Sequence, residues 1–431
     1  MSKAPREHEK AKLIIIFLTW KAFLLVLAYL SPSPGYDTST VLLGPINSPL
    51  PGKLVRWDAI YYSVVASRGY LFEQEWAFGW GYSQLLRVIA SFLGTSDSVF
   101  PIREAWVGIV VSHVSHLISV IALYDMSQKL FKHKSDALTL PYLASILHIL
   151  SPAGIFLSAP YSESLFSCLS FLGYSCFTNA MLKQGSSIKK DALYLLSASF
   201  MALAASTRGN GLLNGLLFLS EALYCFVDIV RHGISIGRLH YLILIGICGC
   251  LVGIGNIVPQ YLASLEFCSA EVSPQRPWCE AVFPSIYNFV QAHYWNAGFL
   301  KYWTLPNLPL FLFAIPCTSL FIRSSIWVWS MDLQGIDSRT PQAFRAKATR
   351  QILQALALPQ IALVVLIMSR YHVQIITRLS SGYVVWYWWI AKSLSEIKGI
   401  GYGKVAKMAI VWMVVYGILQ CVLFASFLPP A

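Results

Sequence analysis

Apolar and polar positions come in blocks along this chain. Runs of about 20 mostly apolar residues alternate with shorter polar, aromatic or basic stretches. An α-helix of about that length crosses a hydrocarbon core roughly 30 Å thick. The pattern predicts spans at about 13–30, 102–124, 138–158, 163–182, 191–207, 211–230, 239–262, 305–322, 352–369, 380–393 and 408–427. The 380–393 run is short and fits a re-entrant segment as well. The expected fold is an all-α polytopic membrane protein of about eleven transmembrane helices, one integral-membrane domain over residues 1–431.

Composition agrees with that pattern. Only 12% of the 431 residues are charged and 56% are hydrophobic, against roughly 25% charged in soluble proteins. The run from Leu13 lacks a small-x-small exit and reads as a first span rather than a cleaved signal. Most of the nine cysteines sit in apolar runs with no metal spacing. Cys268 and Cys279 lie in a polar loop instead, close enough in sequence to bridge in an oxidising compartment. Asn47-Ser48-Pro49 lacks the third-position hydroxyl of a glycosylation acceptor.

The net charge of +12 raises the question of nucleic acid. The basic residues sit in short loops rather than in one stripe, which argues against it. Their distribution gives an orientation instead. Twenty-one Lys and Arg fall on one side of the expected spans and ten on the other, with Lys21 inside the first run. The N-terminus is expected in the cytosol and the C-terminus in the lumen. Two long luminal loops follow, about 31–101 and 263–304, both rich in Trp, Tyr, Phe and Pro. Short interfacial helices are expected at 57–67 and 82–93. The basic segment 323–351, with Trp327 and Trp329, is expected as a cytosolic surface helix.

Candidate chemistry gathers at the luminal edge. Arg56-Trp57-Asp58-Ala59-Ile60-Tyr61-Tyr62 sets an acid among aromatics. Asp58 reads either as a general base or as a helix N-cap. Glu73 and Glu75 follow in the same loop. Glu163, in P-Y-S-E-S-L, is either a first-turn carboxylate favoured by the helix dipole or part of a polar site. Arg208 and Asn210, in S-T-R-G-N-G, fit a phosphate partner, or Arg208 simply snorkels to the interface. The second loop carries Gln291, His293, Tyr294 and Trp295, which suit a sugar-binding wall or an aromatic membrane belt. Arg370, His372 and Arg378, in R-Y-H-V-Q-I-I-T-R, form a cationic pocket for a lipid phosphate, or the two arginines simply anchor helix ends.

These blocks carry a resemblance. R-W-D-A-I-Y-Y…G-Y…E, S-P-A…S-A-P-Y-S-E-S, S-x-R-G-N-G, R-P-W-C…P-S-I-Y-x-F-V-Q-x-x-Y-W-N-x-G-F-L-K-Y-W-T and H-V-Q-I-I-T-R-L-S-S are similar, in order along nearly the whole chain, to the GPI mannosyltransferase II family, called PIG-V in animals. One departure is W-A-F-G-W-G-Y-S-Q after Glu75, where the family has an A-F-F-P-like run. The resemblance implies a GT-C-like, C-type glycosyltransferase of the endoplasmic reticulum membrane. It would add the second, α1,6-linked mannose to the GPI precursor, a mannosylated glucosaminyl-acyl-phosphatidylinositol, from dolichyl phosphate mannose. The family's luminal acidic position maps onto Asp58. Donor and acceptor contacts are expected from Arg56, Trp57, Glu73, Glu163, Arg208, Asn210, Gln291, His293, Tyr294, Trp295, His372, Gln374 and Arg378. No metal or cofactor is expected, and fungal members work with a small membrane partner subunit. A transporter or scramblase, or a non-catalytic scaffold, remain alternatives on composition alone.

Overall fold

The computed structural model describes residues 3–32, 49–94, 101–131, 139–185, 187–269, 276–331, 341–395 and 402–428. Lys132, Lys134, Arg339 and Lys398, which entered the charge argument, and Asn47-Ser48 lie outside them. Every regular element among the described residues is helical. In chain order the helices are α1 (Lys3–Leu30), α2 (Pro49–Leu54), α3 (Asp58–Arg68), α4 (Trp80–Phe92), α5 (Ile102–Leu130) and α6 (Thr139–Ile149). Then come α7 (Ser162–Met181), α8 (Ile188–Thr207), α9 (Gly215–His232), α10 (Ile236–Phe267), α11 (Ile286–His293) and α12 (Leu308–Trp329). The chain ends with α13 (Pro341–Arg370), α14 (Ile376–Leu379), α15 (Val385–Ser395) and α16 (Tyr402–Ala425).

Among the described residues, seven helical stretches are long and apolar enough to cross a membrane. They fall on α1, α5, α9 with the short turn before it, α10, α12, α13 and α16. Four expected spans do not reach that measure, for two physical reasons. The 138–158 and 380–393 runs form α6 and α15, of 11 residues each, about 16 Å at 1.5 Å per residue. That is roughly half of a hydrocarbon core. In α15, Val385 to Ala391 are all buried, Trp386 and Trp388 completely, and Trp388 Nε1 donates to Ser127 Oγ at 2.7 Å. Its apolarity serves the protein core. The other two, α7 and α8, are 20 residues long but less apolar. Ser162, Ser164, Ser167 and Ser170 of α7 are fully buried, so that helix faces neighbours.

The 323–351 segment differs from expectation too. It forms no separate surface helix among the described residues. Its start is the last turns of α12 and its end the first turns of α13. These two helices pack on one another, so each continues past its apolar stretch. The helices expected at 57–67 and 82–93 correspond to α3 and α4.

One buried turn organises the interior. Residues 151–164 are buried throughout, and Lys21 of α1 donates to Leu157 O at 2.7 Å and Ser158 Oγ at 2.9 Å. A backbone carbonyl away from water needs such a donor. The turn delivers Tyr161, Ser162 and Glu163 to one end of the helix bundle, where α3, the start of α4 and the segment after α8 meet them.

Candidate active site

Asp58 is the first residue of α3. Trp57 before it has φ 54°, a conformation that costs a non-glycine residue about 1–3 kcal/mol and persists only where surroundings impose it. They do so here. Tyr161 Oη donates to Arg56 O at 3.0 Å, the Trp57 ring packs 4.8 Å from Phe427, and the Arg56 guanidinium lies 4.7 Å from that same ring. The turn sets Asp58 at the first position of α3, one residue past the N-cap. Trp57 occupies the N-cap position with no side-chain cap, and Asp58 Oδ2 accepts from Arg378 Nη2 at 2.8 Å.

Arg378 is the middle of a chain of alternating charges. Its Nε donates to Glu163 Oε1 at 2.9 Å, and Arg208 Nη1 lies 2.8 Å from Glu163 Oε2. Glu163 is 1% exposed, the two arginines 16% and 17%, and Asp58 32%. Two acids and two bases thus balance, with exposure rising from Glu163 outward to Asp58. Phe156 and Tyr161 lie 4.5 and 4.9 Å from the Arg378 guanidinium and fix it by cation–π contact. Burial lowers the Arg378 pKa, and the carboxylates of Glu163 and Asp58 outweigh it, so it is raised overall. The Arg208 segment is positioned by close packing against W-A-F-G-W-G-Y. A Cβ on Gly79 would lie 1.5 Å from Thr207 O, and one on Gly81 2.3 Å from Ser206 Oγ. Only glycine lets the first loop approach the end of α8 this closely.

The charges border a cleft of about 1240 Å³. Asp58, Trp57, Arg208, Asn210, Gln291, Trp295, His372, Gln374, Arg378 and Glu75 all line it. The sequence blocks at 56–62, 206–211, 284–304 and 370–378 therefore converge on one space. Asn210 Nδ2 donates to Tyr383 Oη at 3.2 Å. His372 stacks on Tyr302, ring centroids 4.7 Å apart, with Nε2 3.1 Å from Trp295 O. Gln374 Oε1 accepts from Tyr302 Oη at 3.0 Å. At one side the lining turns apolar, with Leu212, Leu213, Leu363, Leu366 and Ile367.

Other expected residues fall outside the lining. Glu163 lies behind the arginines, and Arg56 is 5% exposed beneath Phe427. Glu73 accepts from Arg276 Nε at 2.6 Å, Trp278 Nε1 at 2.8 Å and Tyr294 Oη at 3.4 Å. Burial raises its pKa, but the Arg276 and Trp278 hydrogen bonds outweigh this and hold it below the ordinary 4.5. Glu73 and Tyr294 thus clamp the first loop to the second. His293 is exposed and stacks on Phe289, centroids 5.0 Å apart. Arg370 is exposed and off the cleft. Although Glu75 borders the cleft, Arg68 Nη2 at 2.6 Å and the Leu71 amide at 2.8 Å occupy its carboxylate. Cys268 and Cys279 form a disulfide with Cα atoms 5.5 Å apart, closing the second loop onto the end of α10.

Several lining residues escaped the sequence reading. Tyr61 and Tyr62 follow Asp58 by three and four positions, the spacing that shares a helix face, and both line the cleft. Burial pushes the Tyr62 phenol up to about 12, so it stays a neutral hydroxyl, 2.9 Å from Ser162 Oγ. Tyr287, Asn288 and Tyr371 also line the space, inside motifs already singled out. Asn256 of α10 does so from an apolar run that gave no signal.

Similarity to known proteins agrees with this geometry. Residues 14–431 match the family described as mannosyltransferase (PIG-V). A GPI mannosyltransferase 2 of Aspergillus oryzae is 41% identical, covering 97% of this chain and 95% of its own. Proteins with the same name in Gibberella zeae and Yarrowia lipolytica are 41% and 34% identical, each covering at least 96% of both chains. Among solved structures, the archaeal oligosaccharyltransferase AglB of Archaeoglobus fulgidus, in complex with an inhibitory peptide and a dolichol-phosphate, has a TM-score of 0.51 at 10% identity. The match covers 99% of this chain and 56% of that one, a likeness of fold alone. Membership of the mannosyltransferase (PIG-V) family follows from the full-length match, and this chain belongs to it.

Proposed function

We propose that this protein is a GPI-anchor mannosyltransferase that takes mannose from dolichyl phosphate mannose and adds it, α1,6-linked, as the second mannose of the anchor precursor. The observation that carries the reading is Asp58 lining one large cleft together with Arg208 and Arg378. The names of the relatives support the GPI substrate, and the apolar side of the cleft suits a polyprenyl chain.

The reaction is a single displacement. The acceptor 6-hydroxyl attacks C1 of the β-linked mannosyl phosphate from the face opposite the phosphate. The new C1–O bond forms as the C1–O bond to phosphate breaks, giving the α product. Asp58 takes the hydroxyl proton as general base, and the electron pair of the broken bond leaves with dolichyl phosphate. Arg208 and Arg378 offset the charge growing on that phosphate. Because phosphate is already a good leaving group, one carboxylate suffices, whereas inverting glycoside hydrolysis uses two. Trp57, Trp295, Tyr61 and Gln291 would position the sugars, and holding two lipid-linked substrates in one cleft supplies orientation.

In this reading the protein resides in the endoplasmic reticulum membrane with its N-terminus cytosolic and the cleft luminal, and it works with a small membrane partner subunit. The experiment is transfer of labelled mannose by microsomes carrying the protein. Dolichyl phosphate mannose with a one-mannose acceptor gives the two-mannose product. Absence of that product, with the protein present and folded, would favour the transporter or scaffold reading.

A further inference from the structure

At the far end of the bundle from Asp58, a buried acid faces a second, smaller pocket. Glu221 of α9 is 5% exposed. Its Oε2 accepts from Tyr241 Oη at 2.8 Å, and Tyr241 Oη lies 3.1 Å from Tyr194 Oη. Its Oε1 is buried and has no hydrogen-bond partner among the described residues. A carboxylate within a spanning helix is costly and by default has a partner. The pocket beside it has a volume of about 290 Å³. Lys190, Lys347 and Gln351 line it along with Glu221 and the two tyrosines.

Its position follows from the helices it shares with the cleft. Lys190 stands in the first turn of α8, whereas Arg208 follows the last. Lys347 is near the start of α13, whereas Tyr371 follows its end. The 20 residues of α8 span about 30 Å, one hydrocarbon thickness. The two spaces therefore lie at opposite ends of the same helices. Lys190 Nζ sits 5.8 Å from the Tyr241 ring centroid and forms no ion pair with Glu221 among the described residues.

We propose that this pocket binds the head group of a zwitterionic phospholipid carrying a primary ammonium. The ammonium donates to Glu221 Oε1, and the phosphate lies between Lys190 and Lys347. A purely anionic head group would leave the Glu221 oxygen unpaired and repelled. A quaternary ammonium has no N–H to donate. The exposed Phe344 in the lining offers the acyl chains an apolar surface, which favours a lipid over the soluble head group.

The test is lipid retention by the purified full-length protein in detergent, read by native mass spectrometry. Phosphatidylethanolamine, phosphatidylcholine and phosphatidylglycerol are offered in equal amounts, and soluble phosphoethanolamine is offered separately. One charge-assisted hydrogen bond predicts about a tenfold preference for phosphatidylethanolamine. Glu221→Gln removes the preference, and Lys347→Met, at an exposed position, weakens retention of all three phospholipids while melting as the wild type does. Equal retention of the three lipids by wild type overturns the proposal. So does a folded E221Q protein that keeps the preference, K347M retention equal to wild type, or soluble phosphoethanolamine binding as well as the lipid.

Discussion

Arg378 Nη2 lies 2.8 Å from Asp58 Oδ2, across 320 residues of chain. The contact does two things at once. It ties the carboxylate to the wall of the cleft, and it brings a guanidinium to the place where the proposed donor phosphate would sit. The same guanidinium is anchored behind by Glu163, so its orientation is set before any substrate arrives.

Glu163→Gln should therefore be costly in stability as well as activity. Breaking a buried ion pair by removing one partner typically costs about 3–5 kcal/mol, and here one acid serves two arginines. The E163Q protein is expected to lose solubility in detergent at a clearly lower temperature than wild type. Arg378→Lys keeps the charge but not the fork that reaches both acids. It is expected to melt near wild type and to transfer mannose more slowly. A melting curve paired with a transfer assay separates the two effects. Wild-type melting by E163Q would contradict the buried-anchor account.

The clamp between Glu73 and Arg276 predicts a pH dependence. The folded-state pKa of Glu73 lies below its ordinary 4.5, so the ionised form stabilises the fold. That contribution is complete above the ordinary value and disappears as pH falls through the lowered one. Protease protection of the 276–304 segment should persist from neutral pH to below 4.5 in wild type. In Arg276→Gln the carboxylate loses its main partner, so protection should fail at a higher pH. Identical cleavage profiles for the two proteins would rule the clamp out.

Gly79 supplies a steric test. Its missing Cβ would meet Thr207 O at 1.5 Å, whereas a Cβ on Gly237 would meet nothing within 4 Å. Gly79→Ala is expected to push the first loop off the end of α8, displacing Arg208 and lowering transfer by at least about tenfold, since misplacement of about 1 Å can cost more than that. Gly237→Ala should leave transfer unchanged. A fully active G79A protein would mean that the loop can shift without cost.

Hydropathy made the lipid-facing helices legible, because lipid demands apolar side chains on most faces. It could not separate them from α15, whose tryptophans are apolar for the sake of the protein interior. The site was legible as four blocks, although Tyr61 and Tyr62, three and four positions after Asp58 and so on its helix face, were not read as part of it. What stayed hidden was pairing at long range. Nothing local in P-Y-S-E-S-L distinguishes a first-turn carboxylate from one that binds Arg208 and Arg378, and nothing in R-P-W-C assigns Arg276 to Glu73. Such pairs come from the packing of α7, α8 and the 371–379 segment for Glu163, and of the first loop against the loop after α10 for Glu73, which no single stretch encodes. The pattern A-F-G-W-G became interpretable only beside Thr207.

The central claim is that Asp58 removes the acceptor proton during mannosyl transfer. Its most direct test is single-turnover transfer from labelled dolichyl phosphate mannose by purified Asp58→Asn protein, with donor binding measured on the same sample. General-base catalysis contributes about 10²–10⁴-fold. Transfer should therefore fall by at least about a hundredfold while donor binding and melting remain close to wild type. Transfer at the wild-type rate by a folded D58N protein would contradict the account.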